Sequence, residues 1–164
     1  MIKYYDMSWI TKRIKDAARN DIDDIMNKNN YIYDTKEFED RFKRFTGASY
    51  CIGVSSGTAA LHLALDAIGI KKGDQVATVS HTFRATVAAI KYVGAEPVYV
   101  DIQAHSFCMD PLCLEKTLDD NPNIKAVIAV HLYGNSAEIV KISDLCKSRN
   151  VKLIEDCSQA HGTF

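Results

Sequence analysis

The spacing of apolar residues changes character near residue 50. Up to that point, apolar positions recur at three- and four-residue intervals, the pattern of amphipathic helices. The first helix is predicted from residue 8 to 28, and its apolar side contains Ile10, Ile14, Ala17 and Ala18. The second is predicted from about residue 36, with Thr35 as a candidate N-cap and Gly47 at its end. Its apolar side contains Phe38, Phe42 and Phe45.

From residue 50 onward, short apolar runs alternate with longer amphipathic stretches. Three of the runs are rich in valine and do not alternate with polar residues, as expected of strands that are covered on both faces. The predicted strands are residues 51–54, 76–79, 97–100, 125–130 and 151–155. The predicted helices between them are residues 57–69, 82–93, 111–119 and 136–149. This repeated order predicts a three-layer α/β/α fold around a mostly parallel sheet.

Composition and charge narrow the class of protein. The 164 residues are 47% hydrophobic and 25% charged, which is the balance of a globular protein. Lys and Arg total 20 against 21 Asp and Glu, so the formal net charge is -1 and no basic cluster indicates nucleic acid or an anionic membrane. A secretory signal pattern and an apolar run of about 20 residues are both lacking, so a cytoplasmic location is expected.

The five cysteines indicate neither a disulfide framework nor a zinc site. They are odd in number, scattered and without a CxxC pair. We interpret them as reduced, with Cys51 and Cys157 as small hydrophobic residues in strand-like contexts.

Candidate chemistry lies directly after the predicted strands, because ligands of open α/β sheets bind beyond the C-terminal strand ends. After the first run, the small and hydroxylated residues from Ser55 to Leu61 lead into a helix. Free N–H groups and a positive dipole end at such a helix start suit a phosphate. The segment fits neither GxGxxG nor GxxxxGK(S/T), so it is neither a dinucleotide nor a Walker motif. A well-capped helix start without a ligand is the alternative.

Aromatic and polar residues follow the next three strands. Phe83 stands where its ring could stack on a flat heteroaromatic ligand, with burial in the core as the alternative. Asp101 could cap a turn or face a substrate, and the capping role is favoured. His131, which precedes Tyr133 and Asn135, is a catalytic candidate whose alternative is a structural histidine.

An acidic pair, Glu155 and Asp156, ends the last predicted strand. A carboxylate at the end of a buried strand is costly without a cationic or hydrogen-bonding partner. A protonated pyridine nitrogen would supply that partner, and an aspartate facing this nitrogen recurs in pyridoxal-phosphate (PLP) sites. There it keeps the ring protonated and thus able to accept electrons. A structural aspartate bonded to backbone amides is the alternative.

Five segments of the chain together match one family in order and spacing. They are Val54–His62, Thr82–Thr86, Gly94–Asp101, Val130–Gly134 and Ile154–Gly162. With them, the sequence from about Tyr31 to its last residue resembles the DegT/DnrJ/StrS family of PLP-dependent sugar aminotransferases, within the fold-type-I aspartate aminotransferase superfamily.

The resemblance implies PLP as the cofactor and five residues that bind it. Gly57 and Thr58 are implied to bind the phosphate, and the Phe83 ring to stack on the pyridine. Asp156 is implied to pair with the ring nitrogen, and Gln159 to approach the phenolic oxygen.

The chain departs from the family at the lysine that carries the cofactor as a Schiff base. In the family this lysine lies downstream of the aspartate strand, and no lysine follows Asp156 here. Lys125 and Lys152 stand at the opposite, N-terminal ends of their strands. We therefore expect an incomplete fold-type-I large domain without the small C-terminal domain: residues 1–48 form N-terminal helices and residues 49–164 the strand-helix repeat. The strand at residues 51–54 would then be an orphan edge.

The implied activity of the complete protein is transfer of an amino group from glutamate or glutamine to a nucleotide-linked keto-sugar or a keto-cyclitol, by a homodimer. Without the lysine, the 164-residue chain is expected to show no turnover and at most weak, noncovalent PLP binding. Two alternatives are a noncatalytic regulatory protein that retains the pocket and a truncated fragment without function.

Overall fold

The computed structural model describes residues 8–28 and 35–163 and contains two compact units, residues 1–53 and 54–164. The helices are α1 (Ser8–Asn27), α2 (Lys36–Thr46), α3 (Gly57–Ala67), α4 (Arg84–Tyr92), α5 (Pro111–Asp120) and α6 (Ile139–Ser148). The strands are β1 (Gln75–Val79), β2 (Glu96–Val100), β3 (Ile124–Val130) and β4 (Lys152–Asp156). No helix in these described ranges combines the length and the apolar character that a bilayer crossing needs.

The first unit carries the two predicted N-terminal helices. The predicted apolar side of α2 is confirmed, because successive ring centroids lie 5.5 and 6.0 Å apart along Phe38, Phe42 and Phe45. Gly47 ends the helix as predicted, in the left-handed conformation (φ 72°) that glycine adopts at little cost. Thr35 precedes the helix as predicted, but its hydroxyl bonds to the Glu39 carboxylate and caps no backbone N–H.

The predicted strand at residues 51–54 is wrong. The four strands of the described residues pair with one another, and none of them pairs with this segment. The Gly53 N–H donates instead to Oε1 of Glu39 at 2.6 Å, and the Ile52 side chain is 80% exposed. To form a strand, an apolar run needs a neighbouring strand whose backbone groups hydrogen-bond to its own. Residues 51–54 have none among the described residues, so the segment is irregular.

The second unit is built on a four-stranded parallel sheet in the order β2-β1-β3-β4. The four strand predictions from residue 76 onward are confirmed to within one residue at each end. Because crossovers between parallel strands are right-handed, α4 covers one face, and α5 and α6 cover the other. Helix α3 packs against α4, and α5 packs against α6. The predicted α/β class with a parallel sheet is thus confirmed.

The core of this unit surrounds the two central strands. Val76, Val127 and Ile128 are fully buried in β1 and β3, which explains why these runs contain no alternating polar residues. Leu65 of α3 and Ile142 of α6 complete the core from the two faces. This packing fixes the C-terminal ends of β1 and β3, and with them the starting points of the loops that follow.

Candidate functional site

The loops after β1, β3 and β4 and the start of α3 surround one cavity of about 370 Å³. Its lining includes all five residues that the sequence singled out for a cofactor, namely Gly57, Thr58, Phe83, Asp156 and Gln159. The lining also contains Leu61, Val130 and Leu132, so the cavity is apolar with a few polar groups, as small-molecule sites usually are.

The start of α3 presents unpaired donors at the cavity wall. Ser56 caps the helix, since its Oγ accepts the Ala59 N–H at 3.1 Å. The N–H groups of Gly57 and Thr58 have no hydrogen-bond partner among the described residues. A Cβ added to Gly57 would lie 3.5 Å from Oγ of Ser158, which shows how closely the loop after β4 approaches this helix. The free donors and the positive end of the helix dipole suit an anion such as a phosphate.

Phe83 lies between β1 and α4 and is not a core residue. Its side chain is 64% exposed and forms part of the cavity lining. A hydrogen bond between the hydroxyls of Thr82 and Thr86, 3.1 Å apart, joins the residues on either side. The aromatic ring is therefore accessible to a flat ligand in the cavity.

Asp156 ends β4, and its two carboxylate oxygens have different surroundings. Oδ1 accepts hydrogen bonds from the backbone N–H of Ser158 at 3.1 Å and from its hydroxyl at 2.6 Å. Oδ2 has no hydrogen-bond partner within the described part of the chain. One oxygen thus holds the loop, as in the structural interpretation of this residue, and the other is available to a donor in the half-buried cavity wall.

Gln159 is tied to the loop after β3. Its Oε1 accepts the backbone N–H of Tyr133 at 2.8 Å. Tyr133 has φ 59° and ψ 21°, a left-handed conformation that costs a non-glycine residue roughly 1–2 kcal/mol. The sequence does not predict this conformation, since its only local signal is the glycine that follows.

His131 is buried, and both of its ring nitrogens have partners. Nδ1 accepts the Ala137 N–H at 3.1 Å, and Nε2 lies 3.2 Å from Oε2 of Glu155. Because Nδ1 faces a donor, the proton of the neutral ring belongs on Nε2, which donates to the carboxylate. These bonds match the structural interpretation of His131 and leave no free nitrogen for acid-base work.

His131, Glu155 and Cys157 bring potential metal ligands within 4.8 Å of one another, yet the hydrogen bonds disfavour an ion. A metal on Nε2 normally requires the other ring nitrogen to donate a proton. Here Nδ1 accepts one from Ala137. Cys157 is exposed and follows the end of β4, which corrects its interpretation as a small hydrophobic residue in a strand-like context. Partial burial of its sulfur, together with the carboxylates of Glu155 and Asp156, raises the pKa of the thiol.

Asp101 follows β2 and lies outside the cavity lining. Its Oδ1 accepts the Ile102 N–H at 2.9 Å, a bond to the next residue that leaves the predicted turn cap untested.

A parallel sheet with a helix start, an exposed ring and a carboxylate around one strand-end cavity is the arrangement in which open α/β proteins bind small ligands. The chain belongs to the DegT/DnrJ/EryC1/StrS aminotransferase family, whose model matches residues 12–164. This is a family of PLP-dependent enzymes, and its solved structures include PLP and pyridoxamine-phosphate forms.

Curated relatives support the same family. The chain is 41% identical to dTDP-3-amino-3,4,6-trideoxy-alpha-D-glucose transaminase of Micromonospora megalomicea, over 77% of this chain and 33% of the relative. It is 37% identical to dTDP-3-amino-3,6-dideoxy-alpha-D-galactopyranose transaminase of Aneurinibacillus thermoaerophilus, over 100% of this chain and 45% of the relative. The chain thus spans less than half the length of either relative.

The names of other relatives widen the range of roles. One is a putative L-glutamine:3-amino-2,3-dideoxy-scyllo-inosose aminotransferase of Micromonospora echinospora, at 39% identity. Another is a pleiotropic regulatory protein of Geobacillus stearothermophilus, at 35% identity over 96% of this chain.

Among solved structures, S. venezuelae DesV superposes with a TM-score of 0.92 at 31% identity, over 98% of this chain and 43% of that one. The superposition confirms the fold-type-I assignment.

Proposed function

We propose that residues 54–164 form the PLP-binding part of a sugar aminotransferase. The observation that carries the proposal is the meeting of Thr58, Phe83 and Asp156 in one cavity, although they come from three separate segments of the chain. Each offers what one portion of PLP needs: a donor for the phosphate, a flat apolar surface for the ring and an anion for the ring nitrogen.

The phosphate would bind at the start of α3. The N–H groups of Gly57 and Thr58 are unpaired within residues 8–28 and 35–163, and the Ser56 cap keeps the helix start ordered. A dianion there gains charge-assisted hydrogen bonds and the favourable end of the helix dipole.

The ring would lie between these donors and β4. Phe83 would supply an aromatic surface for one ring face, and Oδ2 of Asp156 would accept a hydrogen bond from the protonated pyridine nitrogen. PLP, when bound, supplies a conjugated ring that accepts the electron pair released when a Cα–H bond breaks. By stabilising the protonated nitrogen, the Asp156 carboxylate makes the ring a better acceptor.

Gln159 would donate to the phenolic oxygen of the cofactor. Its amide oxygen is occupied by the Tyr133 N–H, which leaves the amide nitrogen as a donor for an anionic oxygen. The family resemblance implies the same role for Gln159.

The substrates proposed for the whole protein are a nucleotide-linked keto-sugar or a keto-cyclitol, with glutamate or glutamine as the amino donor. The names of the transaminase relatives support the sugar, and that of the Micromonospora echinospora relative supports the cyclitol. For the whole protein, we also propose a homodimer and a cytoplasmic location.

The proposed transamination needs a lysine, and none follows Asp156 in the 164 residues. Lys125 and Lys152 lie at the N-terminal ends of β3 and β4, away from the strand ends that line the cavity. We therefore propose that the 164-residue chain alone binds the cofactor reversibly and does not catalyse transamination. If the reading frame continues past the Phe164 codon into a serine- and phenylalanine-rich loop with a lysine, that supports the enzyme; a native stop codon there speaks against it.

A noncatalytic regulatory role is the second candidate function. The observation that favours it is the pleiotropic regulatory relative, which matches 96% of this chain. Such a protein would keep the cavity and respond to the bound ligand without chemistry.

The proposal is tested by measuring binding of pyridoxamine phosphate to the 164-residue chain. This form carries an amine and no aldehyde, so it does not react with surface lysines. We expect it to bind about 10- to 100-fold more tightly than pyridoxamine, because the phosphate gains hydrogen bonds to charged groups of about 1.5–3 kcal/mol. With PLP and glutamate, no 2-oxoglutarate should form. Equal affinities for the two amines would contradict the phosphate site, and turnover would contradict the need for a further lysine.

A further inference from the structure

The loop after β3 contains a tyrosine in a conformation that usually falls to glycine. Tyr133 has φ 59° and is followed by Gly134 at φ 82°, so two consecutive residues are left-handed. A side chain in this region of backbone space is strained, and such strain concentrates at functional sites. A simple turn does not explain why a tyrosine, rather than a glycine, occupies this position.

Tertiary contacts hold the Tyr133 ring in place. It packs edge-on against His81 at 5.9 Å and against Phe107 at 6.0 Å between ring centroids. His81 and Phe107 also contact each other, at 5.8 Å. Phe107 is itself left-handed, with φ 59°. The three rings form an aromatic cluster (His81, Phe107 and Tyr133) that joins the loops after β1, β2 and β3.

Hydrogen bonds between these loops support the cluster independently of Gln159. The Asn135 side chain donates to the carbonyl of Ser106 at 3.0 Å, and Nε2 of Gln103 donates to Oε1 of Glu138 at 2.5 Å. The loop that carries Tyr133 is thus fixed from the side of β2, opposite to the Gln159 loop after β4.

The consequence of this conformation appears at the backbone. The Tyr133 N–H donates to Oε1 of Gln159 at 2.8 Å. Since an N–H accepts no hydrogen bond, the partner must be the amide oxygen, and the amide nitrogen takes the other position. The side-chain amide of Gln159, a residue of the cavity lining, therefore has one defined orientation.

We propose that Tyr133 is a positioning residue for the cofactor site: the aromatic cluster holds its backbone left-handed, and its N–H orients Gln159 so that the amide nitrogen is the donor for an anionic ring oxygen. This inference rests on the proposed function for the identity of the ligand. The orientation of Gln159 itself is a property of the chain without ligand and is tested separately.

The test uses NMR of the isotope-labelled 164-residue chain, with pyridoxamine phosphate as the probe. In Tyr133→Ala, which loses the ring contacts, we expect the amide of residue 133 to exchange with solvent about tenfold faster or more, and the Gln159 side-chain NH₂ signals to move toward those of a free amide. Affinity for pyridoxamine phosphate should fall about 3- to 10-fold, the range for loss of one oriented hydrogen bond. Tyr133→Phe keeps the ring contacts and loses only the long hydrogen bond, 3.4 Å, between the tyrosine hydroxyl and Nε2 of His81. It should therefore stay much closer to the wild type than Tyr133→Ala does in all three measurements.

Asn150→Ala is the matched control. Asn150 is exposed, has φ 55° and lies in the turn before β4, outside the cavity lining. Alanine there carries the same backbone strain, so unchanged Gln159 signals and unchanged affinity assign the effects of Tyr133→Ala to the site.

A second pair of variants applies if Tyr133→Ala fails to fold. Gln159→Glu keeps an acceptor for the Tyr133 N–H but removes the donor, so the amide of Tyr133 should stay protected while the probe binds weakly. Gln159→Leu removes both groups, so protection should be lost as well. Equal exchange of the Tyr133 amide in the wild type and in Gln159→Leu would overturn the inference and leave the proposed function standing. Absence of probe binding by the wild type would instead refute the proposed function.

Discussion

Asp156→Asn is expected to weaken binding of pyridoxamine phosphate about 10- to 100-fold, which corresponds to about 1.5–3 kcal/mol for a hydrogen bond between charged groups. The amide oxygen of asparagine can still accept both hydrogen bonds from Ser158, so the loop after β4 keeps its support. What the variant loses is the negative charge opposite the protonated ring nitrogen. The fold should remain intact while affinity falls. Isothermal titration calorimetry and thermal unfolding of the same samples measure the two quantities.

Asp101→Asn is the control for this experiment. Asp101 is also an acid that follows a parallel strand, but it lies outside the cavity and bonds to the Ile102 N–H. Its replacement should leave affinity unchanged. If Asp156→Asn binds the probe as tightly as the wild type does, the carboxylate does not pair with the ring, and the assignment of Asp156 is wrong.

Thr58→Glu is expected to have opposite effects on binding and on stability. A carboxylate close to the bound phosphate repels it by roughly 4 kcal/mol per pair of charges at 4 Å near a protein surface, so affinity should fall more than 100-fold. The same carboxylate in the first turn of α3 interacts favourably with the helix dipole, by about 0.3–1 kcal/mol. The melting temperature should therefore stay equal or rise.

Thr58→Gln separates charge from size in this experiment. Glutamine has the shape of glutamate without the charge, so it should lose far less affinity and gain no stability. An equal loss of affinity in the two variants would mean that steric hindrance dominates at this position. Unchanged affinity in Thr58→Glu would place the phosphate elsewhere.

The fold could be predicted as far as local patterns determine it. Strands β1 and β3 are apolar runs buried on both faces, whereas β2 and β4 are only partly buried, and the predicted ends of all four agree with the structure to within one residue. Residues 51–54 have the same local pattern and form no strand, because strand formation depends on a neighbouring strand and not on the run itself. The short turn at Leu132–Gly134 was not predicted, since its conformation depends on distant contacts.

The candidate site could be predicted where topology alone brings residues together. Phe83 follows β1 and Asp156 is the last residue of β4, so the strand-end rule places both at one edge of the sheet from the sequence alone. The orientation of Gln159 could not be predicted, because it depends on the backbone of Tyr133, and that backbone depends on rings 26 and 52 residues away from it in sequence. The hydrogen bonds that make His131 structural are equally invisible in sequence.

If three segments of the chain form one pocket for a flat, phosphorylated pyridine, the ligand must perturb all three at once. Chemical-shift mapping of the labelled 164-residue chain during titration with pyridoxamine phosphate tests it most directly. We expect saturable changes that are largest at the backbone of Gly57 and Thr58, the ring of Phe83 and the carboxylate of Asp156. Changes centred on the opposite edge of the sheet, near Lys125 and Lys152, or no saturable change at all, would contradict it.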